Sequence, residues 1–248
     1  MSTMSVLPTE ILRIIFSMLS NQDLCMVLLV CKRWKELGED PSLWTWGRAR
    51  VGVVEVSLSN LKMLGIRRRL EHVQEIAVSG LKGMELEKLF LAVVMRLQHK
   101  LSYLNIRNTH LCSVEPGLLA TAVTMVKWVD MSHCSLTSQQ VNTVFESMCA
   151  PHCRLKKLYT EGVNLSTVDQ FTLAAAINRL NRVTMHDTQV TVQQVTCLLS
   201  QAVRQTKLNT LHLGGMARYV ERKIVKQAKQ NISNLVIWHC DVVKRHKY

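Results

Sequence analysis

The densest knot of reactive side chains in the sequence is Cys149-Ala150-Pro151-His152-Cys153. Two thiols and an imidazole are metal-type ligands, but a closed structural zinc site takes four such donors. His133 and Cys134 are further donors of the right type, and Cys134 falls on a repeat position, described below, that accounts for it without a metal. The knot therefore reads as two thiols and a histidine in a loop after a helix, and no metal or other cofactor is expected. The sequence has no Gly-rich phosphate loop with a following Lys, no Gly-x-Ser-x-Gly elbow and no Cys-x-x-Cys pair. No catalytic set emerges, and the expected function is binding rather than bond making.

Charge is the next chemical resource. The chain holds 31 Lys/Arg against 18 Asp/Glu in 248 residues, a net charge of +13. Residues 1–50 contribute almost nothing to it, with 6 Lys/Arg against 5 Asp/Glu, whereas the last 48 residues hold 10 against 2. Arg67-Arg68-Arg69 and Lys244-Arg245-His246-Lys247 have the make-up of nuclear-import or nucleic-acid elements, although short basic runs are more often solvated faces. Apolar residues at 48% and charged residues at 20% predict a packed core rather than disorder. No apolar run reaches the 18 residues that a membrane span requires, so no membrane partner is expected. The opening residues lack a basic stretch ahead of an apolar one, so they do not read as a secretory signal. The eight cysteines are accordingly expected to be thiols in a reducing compartment, cytoplasmic or nuclear.

The elements that position these residues repeat. The pattern apolar-x-x-apolar-x-apolar starts at Val73, Leu101, Val126, Leu155, Leu180, Leu208 and Ile232, with steps of 28, 25, 29, 25, 28 and 24 residues. Of its 21 positions only Thr160 is not apolar. Three residues after the last apolar position stand Thr109, Cys134, Val163, Thr188 and Cys240, types suited to a buried turn. Three periods then offer a helix cap at one offset, Thr137 with Gln140, Ser166 with Asp169 and Thr191 with Gln194. Apolar residues at helical spacing follow, such as Val141, Val144, Phe145 and Met148. Each period is predicted to be a short strand, a turn and a helix. Such a unit resembles the leucine-rich repeat in its longer, helix-containing form, although the family's Asn/Cys position is filled here by Thr, Cys or apolar residues. That resemblance implies an arc with a parallel sheet on its concave side and helices on its convex side. Trp46-x-x-Ala49-x-Val51, 27 residues before Val73, reads as a degenerate first period spanning 46–72.

Side chains beside the inward strand positions point the other way. The outward rows contain Tyr103, Arg107, Trp128, Lys157, Tyr159, Arg182, His186, His212 and Trp238. Tyr, Trp and Arg are the types enriched at binding hot spots. This face is expected to bind a partner protein with acidic or phosphorylated elements.

The first fifty residues are of another kind. Pro8 can open a helix, and apolar residues at 11, 12, 14, 15, 16, 18 and 19 form too wide a stripe for a one-sided helix. A second apolar stretch runs from Leu24 to Val30 and continues through Trp34 to a stop at Gly38. Two or three short helices this apolar need a second surface to cover one side. Leu7-Pro8-x-Glu10-Ile11-Leu12, Ile15-Phe16-x-x-Leu19, Asp23-Leu24, Val30-Cys31-Lys32-x-Trp34 and Leu43-Trp44 resemble, in order and spacing, an F-box. The resemblance implies docking onto the small adaptor subunit of an SCF-type cullin–RING ubiquitin ligase, and through it contact with the cullin and RING subunits. Carried over to this chain, the adaptor-binding positions are Leu7, Pro8, Ile11, Leu12 and Ile15, while Trp34 and Trp44 serve the module's own packing.

The whole is expected to be an α/β chain, with an F-box at 1–50 and leucine-rich repeats at 51–248, packed rigidly together. Its expected role is that of a non-catalytic substrate receptor. A repeat scaffold outside the ubiquitin pathway is the second reading. A nucleic-acid binder, motivated by charge alone, is the third.

Overall fold

The computed structural model describes residues 7–19, 21–40, 43, 53–56, 75–78, 83–96, 101–204, 207–214 and 220–237. Three helices come first: α1 (Thr9–Ser17), α2 (Asn21–Val27) and α3 (Lys32–Gly38). α1 starts one residue after Pro8, whose carbonyl accepts the first helical hydrogen bond, from the Leu12 N–H at 3.1 Å. The chain turns between α2 and α3 instead of continuing as one helix. Cys31 is extended there, and its sulfur accepts the Trp34 N–H at 3.5 Å. Leu12, Phe16, Leu24, Val27, Leu28 and Leu43 form one small buried core, with Trp34 packed edge-on against Phe16 at 5.3 Å. Arg33 ties α3 to the start of α1 by donating to the Leu7 carbonyl at 2.6 Å. Gly38 ends α3 inside this core, where a Cβ would meet Leu28 Cδ2 at 2.7 Å, so the bare backbone permits the close approach.

The larger part alternates strand and helix. The strands are β1 (Val53–Val56), β2 (Glu75–Val78), β3 (Tyr103–Asn105), β4 (Trp128–Asp130), β5 (Lys157–Tyr159), β6 (Arg182–Met185), β7 (Thr210–Leu213) and β8 (Asn234–Ile237). Among the described residues they make one parallel sheet in strict chain order, each strand paired with the one before it. The helices between them are α4 (Met84–Arg96), α5 (Pro116–Met125), α6 (Ser138–Met148), α7 (Gln170–Asn178), α8 (Val192–Arg204) and α9 (Arg222–Asn231). No single period can bury its apolar side; stacking does so, and a second core runs from Ile76 to Ile232.

The described strands from β2 onward lie where the repeat pattern puts them. The first does not. Val53 pairs with Glu75 and Val54 with Ile76, so the first period is Val51-x-x-Val54-x-Val56, five residues later than the Trp46 alignment. Alternating valines suit a strand better than the Arg-Ala-Arg of 48–50. The join to α3, Trp44 and both basic clusters lie outside the described residues.

Four of the five expected turn positions, Thr109, Cys134, Val163 and Thr188, are buried, and Cys240 lies outside the described residues. Cys134 Sγ donates to the Ile106 carbonyl at 2.8 Å and Thr188 Oγ1 to the Thr160 carbonyl at 2.7 Å, each reaching back to the preceding strand. Thr160 is tolerated in the core because its hydroxyl donates to the Thr184 carbonyl at 3.4 Å. Burial pushes the Cys134 thiol up to about 12, with the Asp130 carboxylate adding to the rise and the Thr109 N–H opposing it. At pH 8 it is a protonated, enclosed thiol. Iodoacetamide on the folded protein should therefore modify the exposed Cys31 and Cys112 and spare Cys134 until denaturant is added; peptide mapping by mass spectrometry checks this.

Two of the three expected caps form. Thr137 with Gln140 and Thr191 with Gln194 are reciprocal capping boxes. Ser166 is not a cap: α7 begins after Asp169, whose carboxylate accepts the Phe171 and Thr172 N–H groups at 3.0 and 2.9 Å. A carboxylate against the first turn of a helix outcompetes a hydroxyl three residues earlier. The Thr172 N–H contributes most to holding the Asp169 carboxyl below the usual carboxylate value. A depressed folded-state pKa adds stability above the ordinary carboxylate range, and that stability is lost as pH falls through the folded value. Asp169→Asn should accordingly melt below wild type at neutral pH, with the gap closing on acidification.

Candidate functional site

Two surfaces combine the expected residues. The first is on α1. Leu12 and Phe16 are each 1% exposed and face the small core, while Ile11, Ile14, Ile15 and Met18 are exposed at 43, 53, 38 and 79%. Positions 11, 14, 15 and 18 follow the i, i+3, i+4, i+7 rule and so share one face of the helix. The apolar stripe looked too wide because it is two stripes, one for the core and one for the outside. Of the five expected docking residues, Pro8, Ile11 and Ile15 are exposed and Leu7 is half-buried against the core. Leu12 differs from the other four: it is buried in the small core beside Phe16, one turn further along α1. Ile14, Met18, Met26, Leu29 and Val30 were missed, although all are exposed apolar residues. Reading α1 a second time, after assigning 12 and 16 to the core, would have found the first two.

The second surface is the sheet face turned away from the helices. The register sets Tyr103, Trp128, Lys157 and Arg182 side by side on β3 to β6. Asn105, Asp130, Tyr159, Thr184 and His212 form the next row. Trp128 is the most open aromatic on this face among the described residues, 40% exposed. Tyr103 meets it edge-on, with ring centroids 6.3 Å apart, and Lys157 Nζ sits 3.6 Å over its ring. A cation on an indole face is worth about 0.5–1 kcal/mol at such a site. Tyr103 and Tyr159 are half-buried rather than fully exposed as expected.

The charges divide into two groups. Arg107 is not a standing free cation, since its guanidinium pairs with Glu161 at 3.3 Å, with His133 Nε2 3.9 Å from the same carboxylate. Arg182 is exposed and has no carboxylate partner among the described residues. His186 and His212 lie with ring centroids 5.6 Å apart. Burial first, then His186 and Arg182, push the His212 pKa down, so this ring is neutral at pH 7 and supplies no fixed charge. Its Nε2 is buried without a hydrogen-bond partner. Trp238, the ninth residue expected on this face, lies outside the described residues.

The strand ends are shaped by a feature that went unread in the sequence. Asn108, His133, Gly162 and Asp187 all have positive φ, between 50° and 70°, and each stands three residues after the second-row position. Asn, Asp and Gly tolerate this left-handed turn. Gly80 and Gly215 hold the same offset in the sequence.

Among the described residues no three His, Cys, Asp or Glu side chains are grouped to hold a metal ion. Burial raises the pKa values of Cys149 and Cys153, the opposite of an activated thiolate, and Arg179 donates to the Cys149 carbonyl.

Residues 4–46 match the F-box-like family model. The match takes in α1, α2 and α3 and both stripes of α1, and it covers 43 of 248 residues.

Proposed function

We propose that this protein is a non-catalytic substrate-recognition subunit of an SCF-type ubiquitin ligase. The F-box-like segment docks onto the adaptor and so onto the cullin and RING subunits, and the repeating part captures the protein to be modified. The observation that carries the reading is the outward apolar stripe of Ile11, Ile14, Ile15 and Met18, lying within the F-box-like match. An uncovered apolar face on so small a unit calls for a partner. The adaptor-binding set becomes Leu7, Pro8, Ile11 and Ile15, extended by Ile14 and Met18.

Residues 51–248 are read as leucine-rich repeats. Support comes from the chain-ordered parallel sheet, the buried turn position and the helices that follow β2 to β7. In this reading the helix-free face is concave, and it binds the target through Trp128, Tyr159 and Arg182 with their neighbours. Catalysis is then a matter of proximity: a target lysine is held near a loaded conjugating enzyme, which raises its effective concentration. The compartment proposed is cytoplasm, nucleus or both. The triple variant Trp128→Ala/Tyr159→Ala/Arg182→Ala should keep the adaptor and lose the target in affinity capture. Full target recovery with the triple variant would refute this use of the face.

A further inference from the structure

Building on that target-binding face, we infer that it takes an extended acidic segment of the partner in which a large apolar side chain and a carboxylate stand three residues apart. Two subsites set this spacing. The apolar one is Trp128, closed on one side by the Tyr103 ring edge and capped by the Lys157 ammonium. The anionic one is Arg182, with His186 and His212 grouped beyond it. Trp128 and Arg182 are register partners of Lys157 on either side, so they are two strand spacings apart. Strands lie about 4.8 Å apart, which makes the separation about 10 Å. A segment extended as a polyproline II helix advances about 3.1 Å per residue and returns every third side chain to the same side, so three residues cross it.

The charge at the second subsite fits a carboxylate better than a phosphate. Lys157 keeps its positive charge but directs it onto the indole face, which leaves Arg182 as the guanidinium of this subsite. A planar guanidinium grips a carboxylate through two parallel hydrogen bonds. The groups around it are Lys157 and Tyr159 from β5, Glu161 from the turn after it, Arg182 with His186 and Asp187 from β6 and its turn, and His212 from β7. From β8 the register brings the uncharged Asn234 and Val236. An incoming anion favours the protonated form of His212, which burial, His186 and Arg182 otherwise disfavour. Carboxylate binding therefore tightens as pH falls toward 6, while phosphoserine sheds part of its second charge over the same range.

The test uses the full chain in its adaptor complex and synthetic peptides with one Phe and one Glu separated by one to six positions in a Ser/Ala background. Affinity should peak at a separation of three, about tenfold above one or six. Arg182→Ala should remove about tenfold from Glu peptides and little from Gln peptides, and Trp128→Ala should remove the preference for Phe. Between pH 8 and 6 the Glu series should tighten about threefold. Binding that is flat across separations, or absent at millimolar peptide, overturns the inference. A phosphoserine peptide more than tenfold tighter than its Glu counterpart overturns the carboxylate assignment. The wider reading of the face stands or falls separately, on whether the triple variant still captures the target.

Discussion

Ile11→Asp with Ile15→Asp should abolish adaptor capture while leaving the fold intact. Both side chains are exposed, and their helix is anchored through Leu12 and Phe16 on the other side. A carboxylate in either place costs the small core nothing, but it must be stripped of water if a partner covers the stripe. Leaving one buried, unpaired charge in an interface costs on the order of 3–5 kcal/mol, so two exceed a hundredfold loss of affinity. Leu12→Ala makes the contrasting control. It removes a core side chain, at about 2–5 kcal/mol of stability, and weakens binding only by unfolding the module. Circular dichroism with a binding titration separates the two: the double aspartate variant folds and does not bind, whereas Leu12→Ala loses structure. A double aspartate variant that binds within a fewfold of wild type would show that the stripe faces something else.

The second large effect concerns Gln194, and by symmetry Gln140. Each is almost fully buried, closes a capping box with its threonine, and donates from Nε2 to two carbonyls of the preceding loop. Gln140 reaches Leu111 and Val114 at 2.7 and 2.6 Å; Gln194 reaches Leu165 and Val168 at 2.9 and 2.6 Å. The side chain thus stitches one helix start to the loop of the neighbouring period. Gln194→Ala takes its donor from the buried Val168 carbonyl, leaves the Leu165 carbonyl with the Val168 N–H alone and breaks the cap, a loss of about 2–3 kcal/mol. Gln194→Glu should cost more near pH 7, because carboxylate oxygens would face both carbonyls. Denaturant titration measures both, and an alanine variant within about 0.5 kcal/mol of wild type would mean that solvent replaces these bonds.

Gln140 and Gln194 also show what could be read from the sequence and what could not. Strand positions were legible because the apolar pattern repeats what stacking demands, and the buried turns at Cys134 and Thr188 followed from it. The pairing of periods was not read, although the alternating step lengths carry it. Glu115 and Asp169 cap α5 and α7, and Thr137 and Thr191 cap α6 and α8, each pair 54 residues apart. Two kinds of helix start alternate, and the glutamine belongs to one of them. A buried glutamine looks like any surface glutamine until its carbonyl partners are known, and those come from a loop 26 to 29 residues earlier. The first strand was misplaced for a different reason: Trp46 and Val51 satisfy the bare pattern, and only the pairing of Val53 with Glu75 fixes the phase. On the candidate face, the types of Trp128 and Arg182 were legible. The pairing of Arg107 with Glu161 and the neutrality of His212 depend on neighbours across strands, which spacing alone does not reveal.

The central claim is that the N-terminal helices dock onto an SCF adaptor. The direct measurement is reconstitution of purified wild-type chain and its Ile11→Asp/Ile15→Asp variant with adaptor, cullin and RING subunits, followed by size-exclusion chromatography. The account predicts that wild type elutes with all three subunits in equal proportion and that the variant elutes alone. Wild type eluting apart from the adaptor, or wild type and variant entering the complex equally, would contradict it.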